Sequence, residues 1–414
     1  MGSVGASAAA TARPVAARRI LFLVSASHAT QHMYTGLLPL TYPAVVIAFH
    51  ISVGTLGLAV GVVGVVGGLS QISAGAVARR LEARWILGGQ NILVGVCAAI
   101  GAWSPVYPIF ASGQGVAQLA ASQQHPVGSS IAARAYRDRR GMALSTHNIG
   151  GSIGSLLIPL PAAVLISRLG WRPTMLLLAV PLLLVGLVFL LSFPALGKER
   201  RLAPDAPHSL FRIPRLSRSQ FLDPKVAGFA IIAATVAAGG RGISTLSTYI
   251  PLFLRDRVHL SEIAVGAVFN LVLLGAVAGP LLGGRLSDRV GRLPVLWGAY
   301  ALSIPAVVVF GLSANFPLWS TVVLALAVGL VAYIENPLLQ ALLSDAVKEH
   351  AQSSIFGVYF AAAYGVGSLW LILLGWVIQH FGYSAAFGVM ACCYLGAALL
   401  LIPCRSTLRR PVHA

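Results

Sequence analysis

The sequence predicts an all-α polytopic membrane protein, with 12 transmembrane helices arranged as two pseudo-symmetric six-helix bundles. Hydrophobic residues make up 57% of the 414-residue chain and charged residues only 10%, whereas charged residues are about 25% of a soluble domain. Twelve apolar runs have lengths suited to a hydrocarbon core of ~30 Å. A basic, proline-interrupted segment divides these runs six and six. These observations exclude an ordinary soluble globular protein.

The order of the predicted elements follows from the apolar runs, because charged or turn residues bound each of them. The polar segment between the sixth and seventh runs predicts an N-terminal six-helix bundle over 1–197, a cytoplasmic linker over 198–224 and a C-terminal six-helix bundle over 225–414. The predicted spans are 20–48, 53–77, 86–104, 107–132, 142–166, 172–193, 226–253, 263–284, 294–313, 317–343, 355–378 and 383–403.

The two halves repeat a short pattern. In the first half Pro43 precedes Gly75 by 32 residues, and in the second half Pro251 precedes Gly284 by 33. Such a repeat is typical of transporters in which two bundles hold the substrate between them. It predicts a small-molecule substrate as a partner of this chain.

The basic residues are distributed by topology. Of the 29 Lys and Arg residues, 24 lie at the two termini or in the gaps after spans 2, 4, 6, 8 and 10. Cytoplasmic loops carry such an excess, so we expect both termini to be cytoplasmic in a multi-pass plasma (inner) membrane protein. The net charge of +18 therefore reflects the membrane topology. We expect the lipid bilayer, and not nucleic acid, as a partner.

The sequence offers no motif for catalysis. It contains no Walker motif, no Gly-x-Ser-x-Gly elbow and no cysteine spacing of a zinc site. We therefore expect that the protein is not an enzyme, uses no cofactor and is monomeric. An ion gradient must supply the work of transport, and protons are the expected coupling ion.

The first span carries unusual polarity. His28, Gln31, His32 and Tyr34 lie within an apolar run, where polar side chains are costly and usually mark a pathway. His28 and His32 are four residues apart, so both rings lie on one helix face. The alternative is a pair of histidines that only hydrogen-bond neighbouring helices.

A gate motif follows span 8. The run Gly284-Arg285-Leu286-Ser287-Asp288-Arg289-Val290-Gly291-Arg292 matches the G-x-L-x-D-R-x-G-R signature of the major facilitator superfamily, which the chain resembles. The resemblance implies the major facilitator fold. In the first half the run Gly75 to Arg80 is degraded, with arginine where the acid belongs. The predicted gating residues are Gly284, Asp288, Arg289, Gly291, Arg292, Arg79 and Arg80.

Within that superfamily the chain resembles the fosmidomycin resistance protein family of drug exporters. The runs His28 to Pro39, Gln124 to Ser130 and Arg241 to Pro251 carry the resemblance, which implies export. Two positions depart from the pattern: His32 stands where the family usually has an acid, and Ser155 stands where the antiporter motif has proline.

The resemblance also implies that spans 1, 4, 7 and 10 line the cavity. Each of these spans supplies an ionisable residue. Because an unpaired buried charge is costly, we expect either an Arg241–Glu335 pair or an anionic substrate that competes with Glu335 for Arg241; a permanent salt bridge is the structural alternative. The predicted substrate-binding residues are His28, Gln31, His32, Tyr34, Gln124, His125, Arg241 and Glu335.

Proton coupling requires a group that changes charge near physiological pH. A histidine does so with little tuning, and a carboxyl group does so when burial disfavours its charged form. The candidates are Glu335 and His32. The leading hypothesis is proton-coupled export, by antiport, of small organic anions or amphipathic drugs. An importer or exchanger of a metabolic organic anion is the second, and metal or metal-chelate transport through His28 and His32 is the third.

Overall fold

The computed structural model of the protein describes residues 3–73, 77–78, 80–136, 139–193, 217–348 and 351–409. Within these ranges the chain consists of helices and short connections, and its one β contact is an isolated bridge between Phe221 and Val347. The all-α prediction is thereby confirmed for these residues.

The helices of the described ranges follow one another with few residues between them. They are α1 (Ser3–Ala48), α2 (Val53–Ser70), α3 (Ala83–Trp103), α4 (Tyr107–Ala121), α5 (Gln124–Ala135), α6 (Arg140–Leu157), α7 (Pro159–Leu169), α8 (Trp171–Ser192), α9 (Pro224–Ala237), α10 (Ser247–Asp256), α11 (Glu262–Val290), α12 (Arg292–Leu312), α13 (Leu318–Ala332), α14 (Glu335–Asp345), α15 (Gln352–Phe360) and α16 (Leu369–Leu400). Two π-helical segments, Gly242–Leu246 and Ala361–Gly365, adjoin α10 and α15.

Eight helical segments of the described residues are long and apolar enough to cross a membrane by length and composition. The last of them, Ile355–Arg405, contains two predicted spans, because Gly382 interrupts α16 with a φ of 82°. The other three predicted spans lie in α1, in α4 with α5, and in α9 with α10. α1 is long enough to cross a membrane, but polar residues lower its hydropathy. The other two spans are broken into helices of 10 to 15 residues. All twelve predicted spans therefore correspond to helices of the structure.

The chain forms two compact units. Unit 1 comprises Met1–Leu37, Ser73–Ile158 and Leu169–Arg212, as far as these are described, and unit 2 comprises Leu38–Ile72, Pro159–Arg168 and Ile213–Ala414 with the same restriction. α2 and most of α7 thus belong to unit 2. Most of the predicted linker lies outside the described residues, so the division at 198–224 stays a prediction.

Each unit has its own apolar core. In unit 1, α1, α3, α5 and α8 meet around Val24 and Phe189, which are fully buried. In unit 2, the rings of Phe253, Phe310 and Phe387 join α10, α12 and α16, with centroids 5.2 to 5.6 Å apart. Offset and edge-to-face aromatic contacts of this kind stabilise the packing beyond the area they bury.

Gly291 joins α11 to α12 in a conformation that side chains do not tolerate. Its φ is 95° and its ψ is 159°, a region populated almost only by glycine. Its amide N–H donates to the Ser287 carbonyl at 2.9 Å, which closes the end of α11. The glycine of the gate motif is thus explained by the backbone of the turn.

We expect the Gly291→Ala variant to be less stable than the parent by about 1–3 kcal/mol, the usual cost of forcing a side chain into such a conformation. The measurement is the unfolding midpoint of the detergent-solubilised protein. Gly284→Ala is the matched control, because Gly284 is helical and an added Cβ meets nothing within 4 Å. Equal midpoints for the two variants would contradict the assignment.

Candidate functional site

Four histidines of unit 1 form one cluster. α1 supplies His28 and His32, α5 supplies His125 and α6 supplies His147. The His28 ring stacks on that of His147 with centroids 4.3 Å apart, and its edge contacts with His32 and His125 have centroid distances of 4.6 and 4.8 Å. One possible ligand nitrogen from each of His28, His32 and His125 lies within 4.8 Å of the others. The predicted i, i+4 pair of α1 is therefore part of a larger group.

Hydrogen bonds orient two of these rings. His28 Nδ1 lies 2.9 Å from the His147 carbonyl oxygen, so Nδ1 carries the proton that is donated there. His28 Nε2 is buried and has no hydrogen-bond partner among the described residues. His32 Nδ1 lies 2.9 Å from Ser155 Oγ. His32 and Ser155, the two residues at which the sequence departs from the expected motifs, thus contact each other.

Gly151 of α6 makes room for the His28 ring. A Cβ at this position would lie 2.7 Å from His28 Cε1 and 2.9 Å from Nε2, which is closer than real Cβ atoms approach other atoms. The bare backbone therefore lets α6 lie directly against an imidazole. His28 and His32, on the predicted polar face of α1, lie side by side in the structure. Gly151 on the facing helix leaves space for the buried His28 ring.

A second polar group lies beside the cluster, at the start of α5. Gln124 Oε1 accepts hydrogen bonds from Ser27 Oγ at 2.9 Å and from the Gln90 side-chain amide. Asn91 Nδ2 donates to Ser27 Oγ at 2.5 Å, and Thr30 Oγ1 donates to Asn91 Oδ1 at 3.1 Å. Sequence reasoning singled out Gln124 alone. Its partners Ser27, Gln90 and Asn91 are also polar residues within apolar runs, and this shared feature could have identified them.

The remaining predicted residues of α1 are also buried. Tyr34 donates through its hydroxyl to Gln114 Oε1 of α4 at 2.8 Å. Gln31 is buried, and its Nε2 lacks a hydrogen-bond partner among the described residues. The eight predicted substrate-binding residues therefore fall into two groups. Unit 1 holds six of them, and unit 2 holds Arg241 and Glu335.

Arg241 and Glu335 form a buried ion pair in unit 2. Arg241 Nε lies 3.3 Å from Glu335 Oε1, and the side chains are 2% and 1% exposed. The other two guanidinium nitrogens donate to the carbonyls of Ala234 and Ala363, each at 2.6 Å. Tyr300 donates to Glu335 Oε2 at 3.2 Å. The structure therefore contains the Arg241–Glu335 pair.

Helix ends contribute to this pair. Arg241 follows the C-terminus of α9, where the helix dipole favours a cation, and Glu335 is the first residue of α14, where the dipole favours an anion. Span 10 is interrupted at Tyr333 and Ile334, just before Glu335. Interrupted helices of this type supply ion and substrate sites in many transporters.

Three polar residues extend the site beyond the pair. The Arg241 guanidinium carbon lies 4.8 Å from the centre of the Tyr364 ring, within the range of a cation–π contact. Asn336 Nδ2 donates to the Tyr364 hydroxyl at 2.8 Å, and the Tyr359 hydroxyl donates to Asn336 Oδ1 at 3.3 Å. An aromatic, hydrogen-bonded wall thus surrounds the guanidinium.

The gate motif of unit 2 forms an ion-pair network. Arg292 NH1 lies 2.5 Å from Asp288 Oδ1, and Arg292 Nε lies 3.6 Å from Asp345 Oδ2 at the end of α14. Arg289 is exposed, and Gly284 is a helical residue of α11 with open space beside it. The first residue of α14, Glu335, therefore belongs to the buried ion pair, and its last residue, Asp345, contacts Arg292 of the predicted gate motif.

The degraded first-half motif differs from this arrangement. Arg79 lies outside the described residues, and Arg80 is exposed. Glu82 Oε2 pairs with Arg84 Nε at 2.8 Å. The acidic residue of this region, Glu82, thus forms its ion pair with Arg84, two residues later in the chain.

Comparisons with known proteins identify the family. The sequence profile of the Major Facilitator Superfamily matches residues 22–372. The chain is 24% identical over 403 residues to the fosmidomycin resistance protein of Escherichia coli K12, covering 94% of this chain and 93% of that protein. It is 25% identical over 264 residues to the multidrug resistance protein MdtG of Proteus mirabilis, covering 60% of each chain.

A solved structure supports the same fold. A mutant of the nucleoside transporter NupG superposes with a TM-score of 0.78 at 13% identity, over 94% of this chain and 100% of that chain. The predicted major facilitator fold is confirmed by this likeness and by the family profile. The protein is accordingly an integral membrane transporter and not an enzyme, and the chain belongs to the Major Facilitator Superfamily.

Proposed function

We propose that this protein exports small organic anions or amphipathic drugs in exchange for protons, as a secondary active transporter that works by alternating access. The observation that carries the proposal is the Arg241–Glu335 pair. Glu335 is the one fully buried carboxylate among the described residues, and its partner is an arginine that an anion can also bind. The names of the two relatives, which are resistance proteins, support export.

The pair explains how a substrate and a proton compete. A substrate with an anionic group for Arg241 and a hydrogen-bond donor for Glu335 satisfies both partners when it separates them. A proton on Glu335 removes its negative charge, which makes it a weaker acceptor for that donor and so opposes substrate binding. Because removing one partner of a buried ion pair costs about 3–5 kcal/mol, each partner is freed only when another group replaces it. This exclusion is the basis of antiport.

The ion pair also favours a second candidate function, because Glu335 and an anionic substrate compete for Arg241. An anion without a hydrogen-bond donor can replace Glu335 only after a proton neutralises the carboxylate. The anion and the proton then cross the membrane together. The second candidate is therefore an importer or exchanger of a metabolic organic anion. The sign of proton movement distinguishes the two functions.

We propose that the protein works as a monomer in the plasma (inner) membrane with both termini in the cytoplasm. The 24 Lys and Arg residues on one predicted side of the membrane support this orientation. Accessibility of a cysteine introduced near either terminus to a membrane-impermeant thiol reagent in intact cells tests it. Labelling from outside would overturn the orientation.

The function is tested in proteoliposomes that contain a pH-sensitive dye. A thermal-shift screen of phosphonates, carboxylates and antibiotics first supplies a substrate. Vesicles loaded with this substrate are then diluted into substrate-free buffer. Antiport acidifies the lumen as the substrate leaves, co-transport makes it alkaline, and exchange without protons leaves its pH unchanged.

The Arg241→Ala variant should lose binding of anionic substrates, and Arg241→Lys should restore little of it. The guanidinium meets Glu335 and two carbonyls in three directions, which an ammonium does not reproduce. Binding is measured by the substrate-dependent thermal shift, with Arg257→Ala, an exposed arginine, as the matched control. Full binding in Arg241→Lys would reduce the role of this residue to charge alone, and normal transport in Arg241→Ala would place the site elsewhere.

The Glu335→Gln variant should uncouple transport from protons while substrate counterflow survives, because glutamine keeps the shape of the neutral acid and does not titrate. Substrate-driven acidification of the lumen is the measurement, and Glu262→Gln, an exposed carboxylate of α11, is the control. His32→Gln should shift the pH dependence of transport without removing proton flux. Undiminished flux in Glu335→Gln would remove this residue from the mechanism, and flux lost only in His32→Gln would make the histidine the proton carrier.

The Asp288→Asn variant should slow transport while substrate affinity in detergent stays within a few-fold of the parent. Asp288 binds Arg292 at the gate and not the buried pair. Arg292→Ala should slow transport at least as much, because Arg292 also contacts Asp345, and the double variant should be no worse than Arg292→Ala alone, since that change already removes the contact with Asp288. A large loss of affinity at a normal transport rate would contradict the gating role.

A further inference from the structure

We propose that His28, His32 and His125 bind one divalent transition-metal ion of the zinc class. One possible ligand nitrogen from each ring lies within 4.8 Å of the other two. Imidazole nitrogen suits Zn²⁺, Co²⁺, Ni²⁺ and Cu²⁺. Three imidazoles with one open position are also the ligand set of many zinc sites that exchange their fourth ligand.

The hydrogen bonds of the cluster prepare it for a metal. A metal-binding histidine almost always donates its second ring N–H to an oxygen, which fixes the tautomer and frees the other nitrogen. His28 has this arrangement, since Nδ1 is bound to the His147 carbonyl and Nε2 is left without a hydrogen-bond partner. The residue is 2% exposed, so the free nitrogen is buried. His32 Nδ1 also has an oxygen partner, the hydroxyl of Ser155.

Burial differs among the three rings. His28 is buried, His32 is half-buried and His125 is exposed. In the proposed site, a water or an oxygen of another molecule completes the coordination. In a tetrahedral zinc site the nitrogens lie about 3.3 Å apart, given zinc–nitrogen distances of about 2.0–2.1 Å. The three candidate nitrogens lie within 4.8 Å of one another, so metal binding requires them to approach by at most about 1.5 Å.

The i, i+4 pair in α1 gave only a weak indication of metal binding, because no cysteine or aspartate flanks it. The third ligand comes from α5, nearly a hundred residues later, and the orienting carbonyl comes from α6. The inference does not depend on the proposed direction, coupling or substrate of transport, because metal binding is measured on the isolated protein.

The test is titration of the purified, tag-free, full-length protein with Zn²⁺ in a calorimeter and with Co²⁺ in a spectrophotometer. We expect one ion per chain and the intense visible absorption of tetrahedral cobalt. His28→Gln, His32→Gln and His125→Gln should each weaken binding at least tenfold. Ser155→Ala removes only the hydroxyl behind His32 and should weaken binding roughly tenfold, in the range for the loss of an orienting partner.

His380→Gln is the matched control, because His380 is exposed and belongs to α16 of unit 2, which supplies none of the cluster's residues. Its binding should equal that of the parent. Circular dichroism of each variant verifies folding, and Ser155→Ala keeps the test valid if a histidine variant fails to fold. Absence of a one-to-one complex, or binding that survives in His28→Gln and His125→Gln, would overturn the proposal.

Discussion

The cost of placing a charge in an apolar interior is the constraint on which the described structure depends most. Arg241 meets it with one carboxylate, two backbone carbonyls and the face of Tyr364. Two of these partners lie where regular α-helix ends: Ala234 is in the last turn of α9, and Ala363 lies in a π-helical segment. The interruptions that make these spans short are thus the same features that satisfy the buried charge.

The sequence predicted the fold well because hydrophobicity in a membrane protein is a strong signal. Twelve apolar runs, the gate motif around Asp288 and the deep positions of Arg241 and Glu335 all follow from residue type and spacing. The ion pair was predictable for the same reason, since a single arginine and a single carboxylate deep within the spans have few other partners. The glycine at 291 was predicted as part of a gate, and its φ of 95° gives the physical reason.

The rest of the site was not predictable, because it depends on how helices rotate against each other. His147 was not among the predicted site residues, yet its ring stacks on His28 and its carbonyl oxygen accepts the hydrogen bond that orients that ring. Gln90 and Asn91 belong to α3, a span that no motif marked, yet both take part in the hydrogen bonds around Gln124 and Ser27. Tyr300 likewise gave no signal in sequence, and it donates to Glu335.

The contact between His32 and Ser155 links the two departures from the family pattern. A proline at position 155 has no side-chain hydrogen-bonding group, so an imidazole at position 32 gains its partner only because a serine is present. With an acid at position 32, the neighbouring imidazoles would have had a carboxylate beside them. With histidine there, one possible ligand nitrogen from each of His28, His32 and His125 lies within 4.8 Å of the other two, an arrangement suited to an added cation. The absence of a carboxylate at position 32 therefore has two consequences: it leaves Glu335 as the buried acid of the described chain, and it leaves His28, His32 and His125 without an acid among them, which is the ligand set of the proposed metal site.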